Sequence, residues 1–284
     1  LLAETRTRFS NAGVPEPAQD ARVLVTGLLN LSPTDLIARG DSVLDARSIS
    51  LIEDAVRQRL EGRPVYRILG WREFYGRRFA LSPETLEPRP DTETLVEVTL
   101  DVARRIINQK QVCRIADLGV GTGAVGLSIL AELAECTCLG VDIAPGALET
   151  ARANADGLGV SARYELQSGD WLEGIDAVFD IIVSNPPYIE RNDVANLARE
   201  VGEHDPVIAL DGGADGLDAY RAIAAQAGPR LSENGTILME IGIGQGPDIT
   251  KIFNRFDFGQ TVAARDLAGI ERVLGFEKAE KSPF

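Results

Sequence analysis

The sequence predicts an α/β fold, a doubly wound and mostly parallel sheet of seven strands preceded by a small N-terminal helical domain. Three observations carry this reading. From Val112 onward, short apolar runs alternate with stretches of helical spacing, which favours parallel strands covered on both faces. The glycine-rich run Asp117–Gly123 lies where the first of those strands must turn into its helix. The first 62 residues carry helical spacing and short turns instead.

Taken in order, Pro17 opens a segment with Ala18, Ala21, Val23, Leu24, Val25, Leu28 and Leu29 on one side. Ser32-Pro33 reads as a cap followed by proline at the first helical position, where its missing amide hydrogen is harmless. Asp45–Leu60 places Ile49, Ile52, Val56 and Leu60 at helical spacing, and Gly62 can end that helix. Residues 1–63 are thus expected to form the helical domain. Tyr66, Ile68 and Leu69 then precede Gly70, and Trp71, Phe74 and Tyr75 precede Gly76, which predicts a hairpin or extended connector over residues 64–90. Pro88 and Pro90 hold the chain extended, and Asp91 is placed to cap a helix through Leu95, Val98 and Val102.

Residues 91–284 should hold the sheet. Strands are expected at 112–118, 137–142, 163–166, 179–184 and 235–241, with a final antiparallel pair at 262–265 and 271–276. Helices are expected at 124–133, 145–157 and 217–231. Glu280–Phe284 carries no site signal.

With 284 residues, 44% hydrophobic and 25% charged, the chain can fill a substantial core. Its formal net charge of -14 at pH 7 argues against unspecific binding to phosphate backbones, so nucleic acid is disfavoured as a direct partner. The three cysteines, Cys113, Cys136 and Cys138, read as buried thiols of a reducing compartment. With His204 the only histidine, no metal site is expected. No stretch of about 18 uncharged apolar residues occurs, and the N-terminus as given has no signal-peptide pattern. The expected location is cytoplasmic, with no membrane partner.

Two groups of residues carry chemistry. In Asp117-Leu118-Gly119-Val120-Gly121-Thr122-Gly123, glycines let the backbone pass close to a ligand, although such a turn can also serve packing. The Gly-Lys-Ser or Gly-Lys-Thr ending of a phosphate loop is absent. Asp142, ending the second strand, can accept both hydrogen bonds of a ribose diol, as it also could in a dehydrogenase. Asp170 can accept from an adenine amino group while Trp171 lies against the purine or closes the pocket.

The second group, Asn185-Pro186-Pro187-Tyr188, follows the strongest strand. An amide or exocyclic aromatic amine delocalises its nitrogen lone pair and is a poor nucleophile. The Asn185 side-chain oxygen and the Pro186 carbonyl can accept its two hydrogens and favour the charge that develops as nitrogen attacks a methyl donor. Pro187 stiffens the loop, and Tyr188 can press on the planar face of the substrate. Methyl transfer from S-adenosylmethionine to a planar nitrogen is therefore the expected reaction, with Asn185 also bordering the cofactor.

On these residues the chain resembles the bacterial protein-(glutamine-N5) methyltransferases that modify peptide chain release factors. The resemblance covers nearly the whole chain. It includes Arg72-Glu73-Phe74-Tyr75, Pro88-Arg89-Pro90-Asp91-Thr92-Glu93, the glycine turn, Asp142, Asp170-Trp171, Asn185–Ile189 and the run Arg265–Arg272. It implies a class I methyltransferase sheet and S-adenosylmethionine as cofactor, with S-adenosylhomocysteine as product. It also implies N-terminal helices that grip the release factor while its Gly-Gly-Gln loop enters the pocket. Val120 and Asp91 stand where many members carry threonine and glutamate. Arg89 and Glu93 either orient the substrate loop or pair with each other, and Glu203–Pro206 should belong to the pocket wall. A monomer is expected. Asn-Pro-Pro-Tyr is shared with adenine-N6 DNA methyltransferases and some RNA enzymes. The alternatives are therefore an adenine or guanine N-methyltransferase acting on DNA or RNA, and a non-catalytic translation-factor binder with a vestigial pocket.

Overall fold

The computed structural model describes residues 1–38, 43–197, 199–202 and 204–279. It divides into two compact units, Leu1–Arg72 with Ala198–His204, and Glu73–Leu197 with Asp205–Phe284. The boundary between Arg72 and Glu73 lies within the connector expected over residues 64–90.

The first unit is built on α1 (Leu2–Asn11), α2 (Pro17–Leu29), α3 (Pro33–Ala38), α4 (Ala46–Leu60) and α5 (Val65–Leu69). Its core gathers Phe9, Ala21, Leu24, Val25, Ile52, Ala55, Val56 and Val65. In α4 the buried stripe is Ile52, Ala55, Val56 and Arg59, which puts Ile49 and Leu60 at its edge, and both are exposed. Arg59 is buried because its Nε donates to Asp20 at 2.7 Å. Asp45 caps α4 by accepting from Ser48 N, and Ser32 and Asp35 cap α3 reciprocally. The expected connector is helical at first, since α5 runs to Gly70, whose φ of 75° ends it.

The hairpin itself is β1 (Trp71–Phe74) and β2 (Arg77–Ala80), turning through Tyr75 and Gly76 at φ 49° and 68°, the two positive values of a type I′ turn. The second unit continues with α6 (Glu93–Lys110), β3 (Cys113–Leu118), α7 (Ala124–Glu132), β4 (Cys136–Asp142), α8 (Pro145–Leu158), β5 (Tyr164–Ser168) and β6 (Phe179–Ser184). After the short α9 (Arg191–Val194) and, in the first unit, α10 (Arg199–Gly202), it resumes with α11 (Asp218–Ala227), β7 (Leu231–Glu240), α12 (Gly246–Asn254), β8 (Phe258–Arg265) and β9 (Glu271–Lys278). Asp91 does not cap α6. A 3-10 turn at Pro90–Thr92 intervenes, and the Asp91 carboxylate is taken by Arg272 at 2.6 Å.

The sheet runs in the order β5-β4-β3-β6-β7-β9-β8. All pairs from β5 to β7 are parallel, and β9 joins β7 and β8 antiparallel. This is the seven-stranded, mostly parallel sheet that the sequence predicts. One core lies under α6, α7 and α8, and the other under α11 and α12. The central β6 is buried along its whole length, which is why its sequence is a nearly continuous apolar run. The direction of winding reverses between β3 and β6, the topological position at which such sheets open a ligand crevice. There the Ser184 hydroxyl donates to Leu118 O at 2.7 Å and ties the two strand ends together.

Candidate active site

At this crevice lies a cavity of about 390 Å³, bordered by the glycine turn, Asp142, Trp171, Asn185 and Pro187. The turn is shaped from within the sheet. Gly119 N and Val120 N both donate to Val141 O, and Gly121 N donates to Asp142 Oδ2 at 2.8 Å. Gly119, Gly121 and Gly123 have φ values of 69°, 52° and 82°. A Cβ at Gly119 would stand in ordinary contact with the Trp171 ring, at 3.5 Å, and Gly119 lines the cavity. Gly123 faces away from it. A Cβ there would meet Leu127 Cδ1 at 2.7 Å, so this third glycine serves packing of turn on helix. Asn154, on α8, donates to Thr122 O and exchanges two hydrogen bonds with Ala80, joining the turn to the hairpin.

Asp142 is half-buried, and each carboxylate oxygen already accepts one backbone N–H, from Gly121 and from Ala144. Each keeps capacity for one more donor, as a vicinal diol requires. Asp117 is buried and accepts from Gly126 N at 2.9 Å. Burial, reinforced by the nearby negative Asp142, pushes its carboxyl up to about 7 despite the hydrogen bond from Gly126. Asp170 is exposed on the cavity rim. Trp171 is held at φ 55°, a left-handed conformation that costs a non-glycine residue about 1–3 kcal/mol.

On the other side, Asn185 Nδ2 donates to Thr92 Oγ1 at 3.1 Å, leaving Oδ1 as the amide's acceptor. Pro187 borders the cavity, while Pro186 is buried beside it and Tyr188 packs against the sheet core. The Tyr188 carbonyl accepts from Gln245 Nε2 at 2.9 Å, and Gln245 Oε1 accepts from Gly242 N. Gln245 thus clamps the loop, and nothing in its sequence neighbourhood singled it out. Arg89 borders the cavity but pairs with Asp205 at 2.6 Å, and Glu93 accepts from Tyr75 N. These two do not pair with each other. Of the expected wall 203–206, Glu203 lies outside the described residues, and Asp205 serves Arg89. The wall is made instead by Ile208, Ala209 and Asp211. Among the described residues no group of His, Cys, Asp or Glu could hold a metal ion.

Beneath Asn185 lies Glu240, 1% exposed at the end of β7. Its location was legible only as a carboxylate interrupting the apolar run Ile237–Ile241.

Two family models match the chain, a PrmC N-terminal domain over residues 1–70 and a methyltransferase small domain over residues 97–204. A release factor glutamine methyltransferase of Agrobacterium fabrum is 46% identical over 277 residues, covering 98% of this chain and 96% of the relative. One from Bradyrhizobium diazoefficiens is 42% identical, covering 95% and 91%. The chain belongs to the release factor glutamine methyltransferase family. Among solved structures, the hMettl16 catalytic domain aligns with a TM-score of 0.57 at 15% identity, covering 79% of this chain and 82% of that one. Ribosomal protein L11 methylase from Lactobacillus delbrueckii subsp. bulgaricus aligns with a TM-score of 0.51 at 20% identity, covering 69% and 83%. These likenesses show the methyltransferase fold that the family shares with them.

Proposed function

We propose that this enzyme methylates the side-chain amide nitrogen, N5, of the glutamine in the Gly-Gly-Gln loop of peptide chain release factors, using S-adenosylmethionine. The observation that carries the reading is the placement of the Asn185 amide. Its nitrogen is committed to Thr92, so its oxygen is the acceptor at a cavity whose far wall is the glycine turn and Asp142. Nucleic acid, as the alternative acceptor, gains no specific support from the site.

The residues present fit a nucleoside bearing a sulfonium. Asp142 has acceptor capacity for the ribose diol, Trp171 offers an aromatic face, and the backbone at Gly119 and Gly121 permits close approach. Asp117, Val120, Thr122 and Asp170 complete this side, while Gly123 supports it from behind. When bound, S-adenosylmethionine supplies an electrophilic methyl group, leaving S-adenosylhomocysteine.

The chain's own work is to orient a weak nucleophile. Asn185 Oδ1 and the Pro186 carbonyl accept the two N–H groups of the glutamine amide, which favours the positive charge that grows on nitrogen as it attacks. Proline contributes that carbonyl without an amide hydrogen that would compete. Gln245 holds the loop from behind through the Tyr188 carbonyl, Tyr188 packs the loop onto the sheet core, and Pro187 borders the cavity on the substrate side. The proton leaves nitrogen after the methyl arrives, so no strong base is required.

Arg89 and Glu93 support the substrate side indirectly, through Asp205 and Tyr75. We further infer a monomer acting in the cytoplasm. In support, Cys113, Cys136 and Cys138 are buried free thiols, and no helix among the described residues is long and apolar enough to cross a membrane. The test is transfer from labelled S-adenosylmethionine to full-length release factor, with the product located by mass spectrometry. One methyl on the Gly-Gly-Gln glutamine is expected; label on nucleic acid alone would overturn the substrate assignment.

A further inference from the structure

Glu240 is an acidic side chain buried in the core side of the site, and the reaction as described gives it no task. It is 1% exposed, and its Oε2 finds no hydrogen-bond partner. Thr92 and Asn185 both lie close enough to favour its charged form by hydrogen bonding. The three side chains come from three elements, the turn before α6, the loop after β6 and the end of β7, so their meeting is a product of the fold.

The directions of these hydrogen bonds are linked. Asn185 Nδ2 donates to Thr92 Oγ1, which leaves the Thr92 hydroxyl hydrogen to donate in turn. A carboxylate can only accept. With Glu240 ionised, the chain runs one way, from Asn185 N–H to Thr92 and from Thr92 O–H to Glu240. Protonated, Glu240 can donate to Thr92, the hydroxyl can turn to donate to Asn185 Oδ1, and the Asn185 amide rotates. Its NH2 would then face the cavity and oppose the N–H groups of an incoming amide.

We propose that Glu240 is a positioning residue whose carboxylate fixes the direction of the Thr92–Asn185 hydrogen bond, and so keeps the Asn185 side-chain oxygen presented to the substrate nitrogen. The assignment rests on the acceptor role given to Asn185 above. It makes the site sensitive to pH without any base in the reaction itself. Burial pushes the Glu240 carboxyl up to about 7, against the hydrogen bonds from Thr92 and Asn185 and the positive Arg272, while Asp91 adds to the rise. The other ionisable groups facing it are Tyr188 and Tyr220, the latter donating its hydroxyl to Glu240 O. Burial pushes both tyrosines above their ordinary range, so they stay neutral near pH 7.

The experiment combines a readout of the Asn185 amide with kinetics. In protein carrying 15N only in asparagine side chains, the Asn185 NH2 resonances are identified by their loss in Asn185→Ala. They should move with pH around a midpoint near 7 in the parent and stay fixed between pH 6 and 8.5 in Glu240→Gln. At saturating S-adenosylmethionine and release factor, the parent's kcat should fall on the acid side of the same midpoint. Glu240→Gln should lose that limb and have a kcat roughly 10–100-fold lower, the scale of weakening one preorganised hydrogen bond. Its Kd for S-adenosylhomocysteine should remain within about twofold.

Asn185 resonances that do not titrate in the parent, or that titrate unchanged in Glu240→Gln, would overturn the proposal; an unchanged acid limb would then belong to Asp117. Should Glu240→Gln fail to fold, Thr92→Val breaks the same chain at its middle and should uncouple Asn185 from pH, whereas Thr92→Ser should preserve the coupling. Coupling seen in the resonances of an enzyme that does not methylate release factor would uphold the positioning role and refute the substrate.

Discussion

Asp117 and Asp142 close neighbouring strands, yet their surroundings give them different work. Asp142 keeps acceptor capacity toward the cavity, so Asp142→Ala should raise the Kd for S-adenosylmethionine by roughly 10²–10⁴-fold, the loss of two hydrogen bonds to a charged group. Titration calorimetry reads this directly, and an unchanged Kd would remove Asp142 from the ribose site. Asn185→Ala should behave oppositely, leaving that Kd within about twofold while lowering kcat by about 10²–10³-fold in a single-turnover assay. Asp117 makes a stability prediction. Its folded-state pKa of about 7 lies above the ordinary 3.8, so the folded chain binds this proton more tightly than the unfolded one. The stability so gained is complete below the ordinary value and is lost as pH rises through about 7. Asp117→Asn cannot ionise and escapes that loss. Its melting temperature relative to the parent should rise between pH 5 and pH 8, and a constant difference would show that Asp117 does not take up a proton in this range.

At the scale of elements, the turn from β3 into α7 concentrates both function and strain. Gly123→Ala would place a Cβ at φ 82° and 2.7 Å from Leu127. The left-handed conformation costs about 1–2 kcal/mol and the crowding about 1–3 kcal/mol, so a denaturant titration should show a loss of about 2–5 kcal/mol. A loss under about 0.5 kcal/mol would mean that the turn relaxes freely. The elements of the sheet were legible because buried parallel strands need unbroken apolar runs and their ends need glycine, proline or a carboxylate. Phe179–Ser184 shows this at its plainest, and the Asp117–Gly123 turn with it. Less legible was everything decided by distant partners. Asp91 looked like a helix cap, but Arg272, 181 positions away, takes its carboxylate. Ile49 and Leu60 kept helical spacing but fell at the edge of the stripe that packs. Gln245 and Thr92 reach the Asn-Pro-Pro-Tyr loop from 57 and 93 positions away, and no local pattern announces such contacts. The same reason hid Glu240, whose burial is set by packing against elements it does not adjoin in sequence.

For the whole molecule, the decisive quantity is a formal net charge of -14 at pH 7. The Asn-Pro-Pro-Tyr geometry would suit an exocyclic base nitrogen as well as a glutamine amide, so the field of the protein must help to choose between them. Polyanions bind by releasing counterions to clustered lysine and arginine, and here Lys and Arg number 29 against 43 Asp and Glu. A net charge of this sign repels a polyanion on average and leaves selection to the shape and hydrogen bonding of a protein loop. The prediction is therefore tested most severely at low ionic strength, about 0.02 M, where screening is weakest and any basic patch would attract nucleic acid most strongly. Duplex DNA and structured RNA should take up no label from S-adenosylmethionine there, while release factor in the same reaction gains one methyl. Label on nucleic acid at low salt that disappears near 0.2 M would show a local basic surface overriding the molecular average. Label that persists at both would mean that the base edge itself is recognised, and that net charge was the wrong guide to the acceptor.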